Sequence, residues 1–178
     1  MHALSPAMTA PADEEIFLGL LEQHAGIIRK VAFGYTSTFA DREDLSQEIT
    51  LQLWRSYPRY SPERPFSTWM YRIALNVAIS FLRRHAHPVR QTVPLEELEL
   101  RDENATPRET DERIPVLRQV IVALAPLDRG LMLLYLDDHS YREIAAILGI
   151  TETNVATKLT RLKQRVREEM LKLQPENS

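Results

Sequence analysis

The feature that most narrows what this chain can become is a reversal inside good helix-forming sequence, "SYREIAAILGITETNVATKL" at residues 140–159. Ser140 and Glu143 have the spacing at which a hydroxyl and a carboxylate satisfy free amides at a helix start. Ile144, Ala145, Ile147 and Leu148 give that helix an apolar face. Gly149 follows where a left-handed residue ends a helix at no steric cost. Thr151 can cap a second helix, in which Val155, Leu159, Leu162 and Val166 recur as one apolar stripe. The opposite face carries Thr153, Thr157, Thr160, Arg161 and Gln164. Two short helices crossing so that the second shows a polar face outward make a helix-turn-helix, whose second helix enters the DNA major groove. The same pattern would serve a hairpin used only for packing. The basic tail from Lys158 through Lys172 favours the DNA reading, since cations there attract phosphate.

The rest of the chain also reads as helix, and an all-α fold is expected. Ile16, Leu20, Leu21, Ile27, Ile28 and Val31 share a helical face over 13–35, ended by "GYTSTFAD". A second helix is expected over 41–56, opened by Asp41 and Asp44, with Leu45, Ile49 and Leu53 inward. Pro58, Pro62 and Pro65 break it. Ser67 is the expected cap of a third helix, stapled by Phe66 and Tyr71 and stopped by Pro88. From 89 to 113 the chain is acidic and poor in apolar periodicity, which reads as a linker. Further helices are expected at 114–124 and 127–136. The organisation expected is a disordered start (1–12), a helical domain (13–88), the linker (89–113) and a second helical domain (114–173).

Composition excludes several classes. No cysteine is present, so disulfides and thiolate metal sites are ruled out, and a reducing compartment is expected. The N-terminus lacks the pattern of a signal peptide, and no apolar run reaches the roughly 18 residues that membrane insertion needs. A cytoplasmic protein is expected. His85 and His87 form an isolated pair without further ligands at zinc spacing, so no metal is expected, and a surface helix end is the simpler role. No phosphate-binding glycine loop or nucleophile motif appears, which argues against an enzyme and against a cofactor. Net charge is −3, yet it is segregated. Arg72, Arg83, Arg84 and Arg90 stand in 67–90 without an acid, and the final helix is also basic, whereas the acids gather in 11–48 and 95–113.

Two more surfaces can be counted out on the first domain. Phe66, Met70, Ile73, Val77 and Phe81 form the expected core stripe of the third helix. Trp69, Arg72, Asn76, Ser80 and Arg83 line a neighbouring face. Rings and guanidiniums in one row suit single-stranded nucleic acid, where bases stack and phosphates pair with arginine. Trp69 could equally be a core ring. On the helix 41–56, Asp44, Gln47, Glu48, Leu51 and Trp54 make a mixed acidic and apolar line, a candidate for docking a basic partner helix.

With these residues in view, the chain resembles a bacterial RNA polymerase sigma factor of the extracytoplasmic-function group. "DREDLSQEITLQLW" resembles the region 2 segment that docks on the polymerase clamp. "RPFSTWMYRIALNVAISFLRR" is similar to the segment that melts and captures the −10 element. The stretch from "LAPLDRG" to "LKQRVR" resembles region 4, which reads the −35 element. The resemblance implies core polymerase, promoter DNA and an anti-sigma factor as partners, and a monomer when free. It assigns Asp44, Gln47, Glu48, Leu51 and Trp54 to polymerase. Arg64, Phe66, Trp69, Arg72, Asn76 and Arg83 fall to the −10 strand, with the loop Ser61–Phe66 as rim. Thr151, Thr153, Asn154, Ala156, Thr157, Lys158, Thr160 and Arg161 fall to the −35 groove. The family usually has lysine or arginine where this chain has Ala156. The acidic linker would suit the channel through which the family threads this segment. Two rival readings are a polymerase-independent helix-turn-helix regulator, which would usually dimerise, and a helical adaptor that binds no DNA.

Overall fold

The computed structural model describes residues 11–85 and 113–173. Its helices are α1 (Pro11–Gln23), α2 (Ala25–Tyr35), α3 (Phe39–Ser56), α4 (Phe66–His85), α5 (Arg113–Val122), α6 (Pro126–Leu136), α7 (Tyr141–Leu148) and α8 (Glu152–Leu173), with a 3-10 turn at Tyr57–Arg59 after α3. Among the described residues there is no strand, so the chain is all-α. The expected disordered start and linker lie almost wholly outside the described residues. Pro11 and Ala12 at one boundary and Arg113 at the other belong to helices.

Several local expectations need correcting. The helix expected over 13–35 is two, parted at His24, whose backbone (φ −111°, ψ 13°) leaves the helical region. The His24 ring packs 5.5 Å from that of Phe66. The break turns α1 about its axis, so Phe17 is fully buried while Ile16 is 56% exposed. Helix α3 starts earlier than expected because Thr38, not Asp41, is its cap: the Thr38 hydroxyl oxygen accepts from the Asp41 amide at 3.1 Å. Likewise α4 starts at Phe66, with the Pro65 carbonyl accepting from the Trp69 amide, so Ser67 lies inside the helix. The Phe66–Tyr71 staple does not form as drawn. Phe66 packs on Tyr60 and Trp69, whereas Tyr71 turns to Asp137 and His139.

The buried stripe of α4 is also rotated from the expected one. Phe66, Met70 and Phe81 are buried as counted, but Tyr71, Ala74, Leu75 and Ala78 complete the stripe. Ile73 and Val77 sit at its edge, half-buried. The cause is that α4 is covered on two sides: α2 and α3 pack on one, α6 and α7 on the other. Helices α2 to α4 therefore form one packed layer around Leu45, Ile49, Leu53 and Met70, each with no exposed surface. Helices α5 to α8 close around Leu131, Leu134, Ile144, Val155 and Leu159, again fully buried. The two groups meet where α2 and α4 face α5, α6 and α7.

Candidate nucleic-acid interface

The reversal that opened the sequence folds as its residues dictate. The Ser140 hydroxyl accepts from the Glu143 amide and the Glu143 carboxylate accepts from the Ser140 amide at 2.8 Å, a complete capping box. The Ser140 hydroxyl also donates to the Glu143 carboxylate at 2.7 Å, and this bond first, with that from the Ser140 amide, holds the carboxyl below the usual carboxylate range. Gly149 ends α7 at φ 70°, ψ 34°, the left-handed region. The Thr151 hydroxyl then accepts from the Asn154 amide at 3.2 Å and starts α8. Val155 and Leu159 are fully buried and Leu162 and Val166 nearly so, which fixes the rotation of α8.

That rotation leaves Thr151, Thr153, Asn154, Thr157, Thr160 and Arg161 exposed together, with Ala156 and Lys158 half-buried beside them. Thr157 and Thr160 donate their hydroxyl protons to the carbonyls of Thr153 and Ala156, each at 2.9 Å. In this rotamer they offer methyl groups and oxygen lone pairs outward, which match thymine methyls and the amino donors of adenine or cytosine. Arg161 is the one guanidinium among them. Lys163 points elsewhere, its ammonium lying 4.8 Å from the centre of the Tyr135 ring.

On the first half of the chain, the two expected surfaces converge. A groove of about 490 Å³ between α3 and α4 is lined by Glu48, Leu51, Gln52, Arg55, Ile73, Asn76, Val77, Ser80 and Arg84. Asn76 and Ser80, counted to the α4 face, thus line the same groove as Glu48 and Leu51, counted to the α3 face. Arg84 crosses the groove to Glu48 at 2.5 Å. Both partners are substantially exposed, so the pair contributes little to stability and serves mainly to orient the two side chains. Sequence counting missed Arg84, Arg55 and Gln52 as groove residues. The available signal was the spacing of Glu48, Gln52 and Arg55 along one side of α3.

Trp69 lies two turns before Asn76 on α4, but its ring is engaged by neighbours. It is half-buried among Tyr57, Tyr60 and Phe66, with ring centres 6.3, 5.1 and 5.2 Å away. The core alternative for this ring therefore holds in part: Trp69 is one plate of a four-ring cluster. Tyr60 donates to the Arg64 carbonyl at 2.8 Å, and the Arg64 amide donates to the Ser61 carbonyl at 3.1 Å, so the loop over 61–66 is a braced turn beside that cluster. Arg64, Arg72 and Arg83 are exposed. Trp54 is also partly core, its ring edge-on to Phe17 at 5.5 Å, while Asp44, Gln47 and Leu51 are exposed beyond it. His85 has the helix-end role expected of it, with Nδ1 2.9 Å from the Phe81 carbonyl oxygen and its ring stacked on Phe81. His87 lies outside the described residues. Among the described residues no group of acids and histidines could hold a metal, and no helix is long and apolar enough to cross a membrane.

A helix-turn-helix with an open polar face, behind a three-helix layer carrying a braced aromatic loop and a mixed groove, is the two-part layout of sigma factors. Comparison with known proteins agrees. The family pattern "Sigma-70 region 2" matches residues 20–87 and "Sigma-70, region 4" matches residues 116–166. The chain is 28% identical over 157 residues to the ECF RNA polymerase sigma factor SigE of Mycolicibacterium smegmatis, covering 86% of this chain and 61% of that protein. It is 25% identical to the probable RNA polymerase sigma factor RfaY of Xanthomonas campestris, over 81% of this chain but 38% of that one. Among solved structures, the sigma factor RpoE bound to the anti-sigma factor NepR from Bartonella quintana has the same fold, with a TM-score of 0.63 at 19% identity, covering 93% of this chain and all of that one. CnrH in complex with the cytosolic domain of CnrY has a TM-score of 0.60 at 21% identity, covering 93% of this chain and 91% of that one. The chain belongs to the extracytoplasmic-function sigma factors of the sigma-70 family.

Proposed function

We propose that this chain is a promoter-specificity subunit of bacterial RNA polymerase, acting in the cytoplasm and performing no catalysis of its own. The observation that carries the proposal is the pairing of two different surfaces on one chain: the α8 face for duplex DNA and the α3–α4 region for polymerase and unpaired DNA. A polymerase-independent regulator needs the first and has no use for the second.

In this reading α8 docks in the major groove at the −35 element, with Arg161 positioned for a base edge or phosphate and the threonines for shape and methyl contacts. Thr151, Thr153 and Asn154, at the start of the helix, suit backbone phosphates. Asp44, Gln47 and Leu51 on α3 take the polymerase clamp, with Glu48 shared between that contact and Arg84. The four-ring cluster under the loop over 61–66 supplies faces for flipped −10 bases, and Arg64, Arg72 and Arg83 track the phosphates. Asn76 in the groove offers an amide that can bond a base edge. An anti-sigma factor is the expected inhibitor, by analogy with the complexes of similar fold. The proposed domain limits are 13–88 and 114–173, with an acidic connection between.

The test is reconstitution. Core polymerase mixed with the chain should form a one-to-one complex that starts transcription at sites core alone ignores. A chain that binds duplex DNA specifically as a dimer but never associates with core polymerase would overturn the proposal in favour of the regulator.

A further inference from the structure

On α8, Thr153, Thr157, Thr160 and Gln164 each precede by two residues a member of the buried stripe Val155, Leu159, Leu162 and Val166. Two residues are just over half a helical turn, so this line lies opposite the core, where a recognition helix faces the groove. Its first three side chains are short. Ala156 adjoins Thr160, and Thr160 adjoins Thr157, at the spacings that bring Cβ atoms within about 5–6 Å. Ala156 is half-buried and both threonines are exposed. The three together make a shallow notch walled by methyl groups, with no long side chain to hold the helix away from base edges.

The polar atoms of the notch are one-sided. The hydroxyl protons of Thr157 and Thr160 are committed to the carbonyls of Thr153 and Ala156. Towards DNA these two oxygens therefore accept and do not donate. Thr153 differs, because α8 begins at Glu152 and no carbonyl of the helix lies four residues before it. Gln164 gives an amide N–H to the Glu168 carboxylate at 3.1 Å. At the major-groove edge guanine shows the acceptors O6 and N7, and thymine shows O4 beside its methyl group. A notch that cannot donate gains nothing from O6, N7 or O4. What it can hold is a methyl group against its own methyls, or an amino group against its two oxygens.

We propose that Ala156, Thr157 and Thr160 form a pocket for the C5-methyl of a pyrimidine, so that the −35 element read by this chain carries thymine there and 5-methylcytosine serves in its place. This rests on the sigma-factor reading above and names the chemical group that its duplex surface recognises. Thymine supplies the methyl alone, whereas 5-methylcytosine supplies the methyl and an N4 amino donor on one base. Guanine is left to Arg161, whose guanidinium can donate to O6 and N7 together.

The probe is promoter DNA recovered by reconstitution with core polymerase and resynthesised with single-base changes across the −35 element. Each thymine, on either strand, is replaced in turn by deoxyuridine, which lacks only the methyl. The concentration of polymerase carrying the chain at half-maximal promoter complex is measured for each duplex. At one or two adjacent positions deoxyuridine should weaken binding about fourfold, the factor expected for one buried methyl group. Cytosine in place of that thymine should bind weakly, and 5-methylcytosine about fourfold better than cytosine. Thr157→Ser with Thr160→Ser removes two methyls, keeps both hydroxyls and should bring the thymine-to-uracil ratio close to one. Thr157→Val with Thr160→Val keeps the methyls and should keep the ratio. An element without thymine, a ratio near one at every position, or a ratio that survives the serine pair would overturn the methyl pocket and leave the sigma-factor reading standing. Should the chain and core polymerase form no promoter complex on any duplex, the sigma-factor reading fails, and the methyl pocket fails with it.

Discussion

At the residue scale, Gly149 and Arg161 separate what builds the reading module from what it reads. Gly149 sits at φ 70°, and a Cβ there would meet nothing closer than Arg72 Nη2 at 3.8 Å. Gly149→Ala therefore tests backbone strain with no clash, and should cost about 1–2 kcal/mol in thermal unfolding, with Asn at the same position costing less. Arg161 makes no contact that the fold requires. Arg161→Ala should leave the melting temperature within about 1 °C, because surface substitutions of this kind cost under about 0.5 kcal/mol. It should weaken binding to a −35 duplex by about 1–3 kcal/mol if the guanidinium meets a base. A loss equal on every sequence, with a flatter salt dependence, would instead mark a phosphate contact. Trp69 is the mixed case. Trp69→Ala removes one plate from the ring cluster and should destabilise by about 2 kcal/mol, below the cost for a fully buried ring. Promoter opening should be measured beside it, at a temperature where the variant is folded.

At the element scale, legibility followed how completely one neighbour dictates a helix. The pair α7 and α8 was readable almost to the residue, because a capping box, a left-handed glycine and a strict apolar stripe all act within 27 consecutive positions, Ser140 to Val166. Helix α4 was read one position out of phase, because its second covered side is made by α6 and α7, far away in sequence. Tyr71 looked like a staple only because its true partner, Asp137, is 66 residues away. The break at His24 left no proline or glycine signal of its own, since Gly26 lies two residues later, inside α2. The groove between α3 and α4 could not be counted from either helix alone. It yields an expected outcome for α3: Asp44→Arg with Leu51→Arg should abolish polymerase association while helicity and melting stay unchanged, since both side chains are exposed. A folded double variant that still binds core polymerase would remove this face from the interface.

At the scale of the whole molecule, the contact between the two halves carries one carboxyl whose ionisation pH can test. Partial burial pushes the Asp137 carboxyl up, but hydrogen bonds from Lys30 and Tyr71 and the charges of Lys30 and His139 outweigh it and hold the group below its ordinary value of 3.8. A carboxyl depressed in the docked state stabilises that state fully above the ordinary value and stops doing so as pH falls through the depressed one. Between pH 5 and 8 the Asp137 carboxylate stays ionised and keeps its pairing with Lys30. Below about pH 4 the melting temperature of the unmodified chain should lose this contribution, and Asp137→Asn should lack that part of the acid step. The central claim, however, is that the two surfaces act together on a promoter. Its most direct measurement is transcription of fragmented genomic DNA by purified core polymerase, with and without the chain, followed by sequencing of the RNA 5′ ends. The account predicts new start sites only in the presence of the chain, sharing one element near −10 and one near −35 at fixed spacing, with the −35 preference weakened by Arg161→Ala. Start sites unchanged by the chain, or new sites with no shared upstream elements, would contradict it.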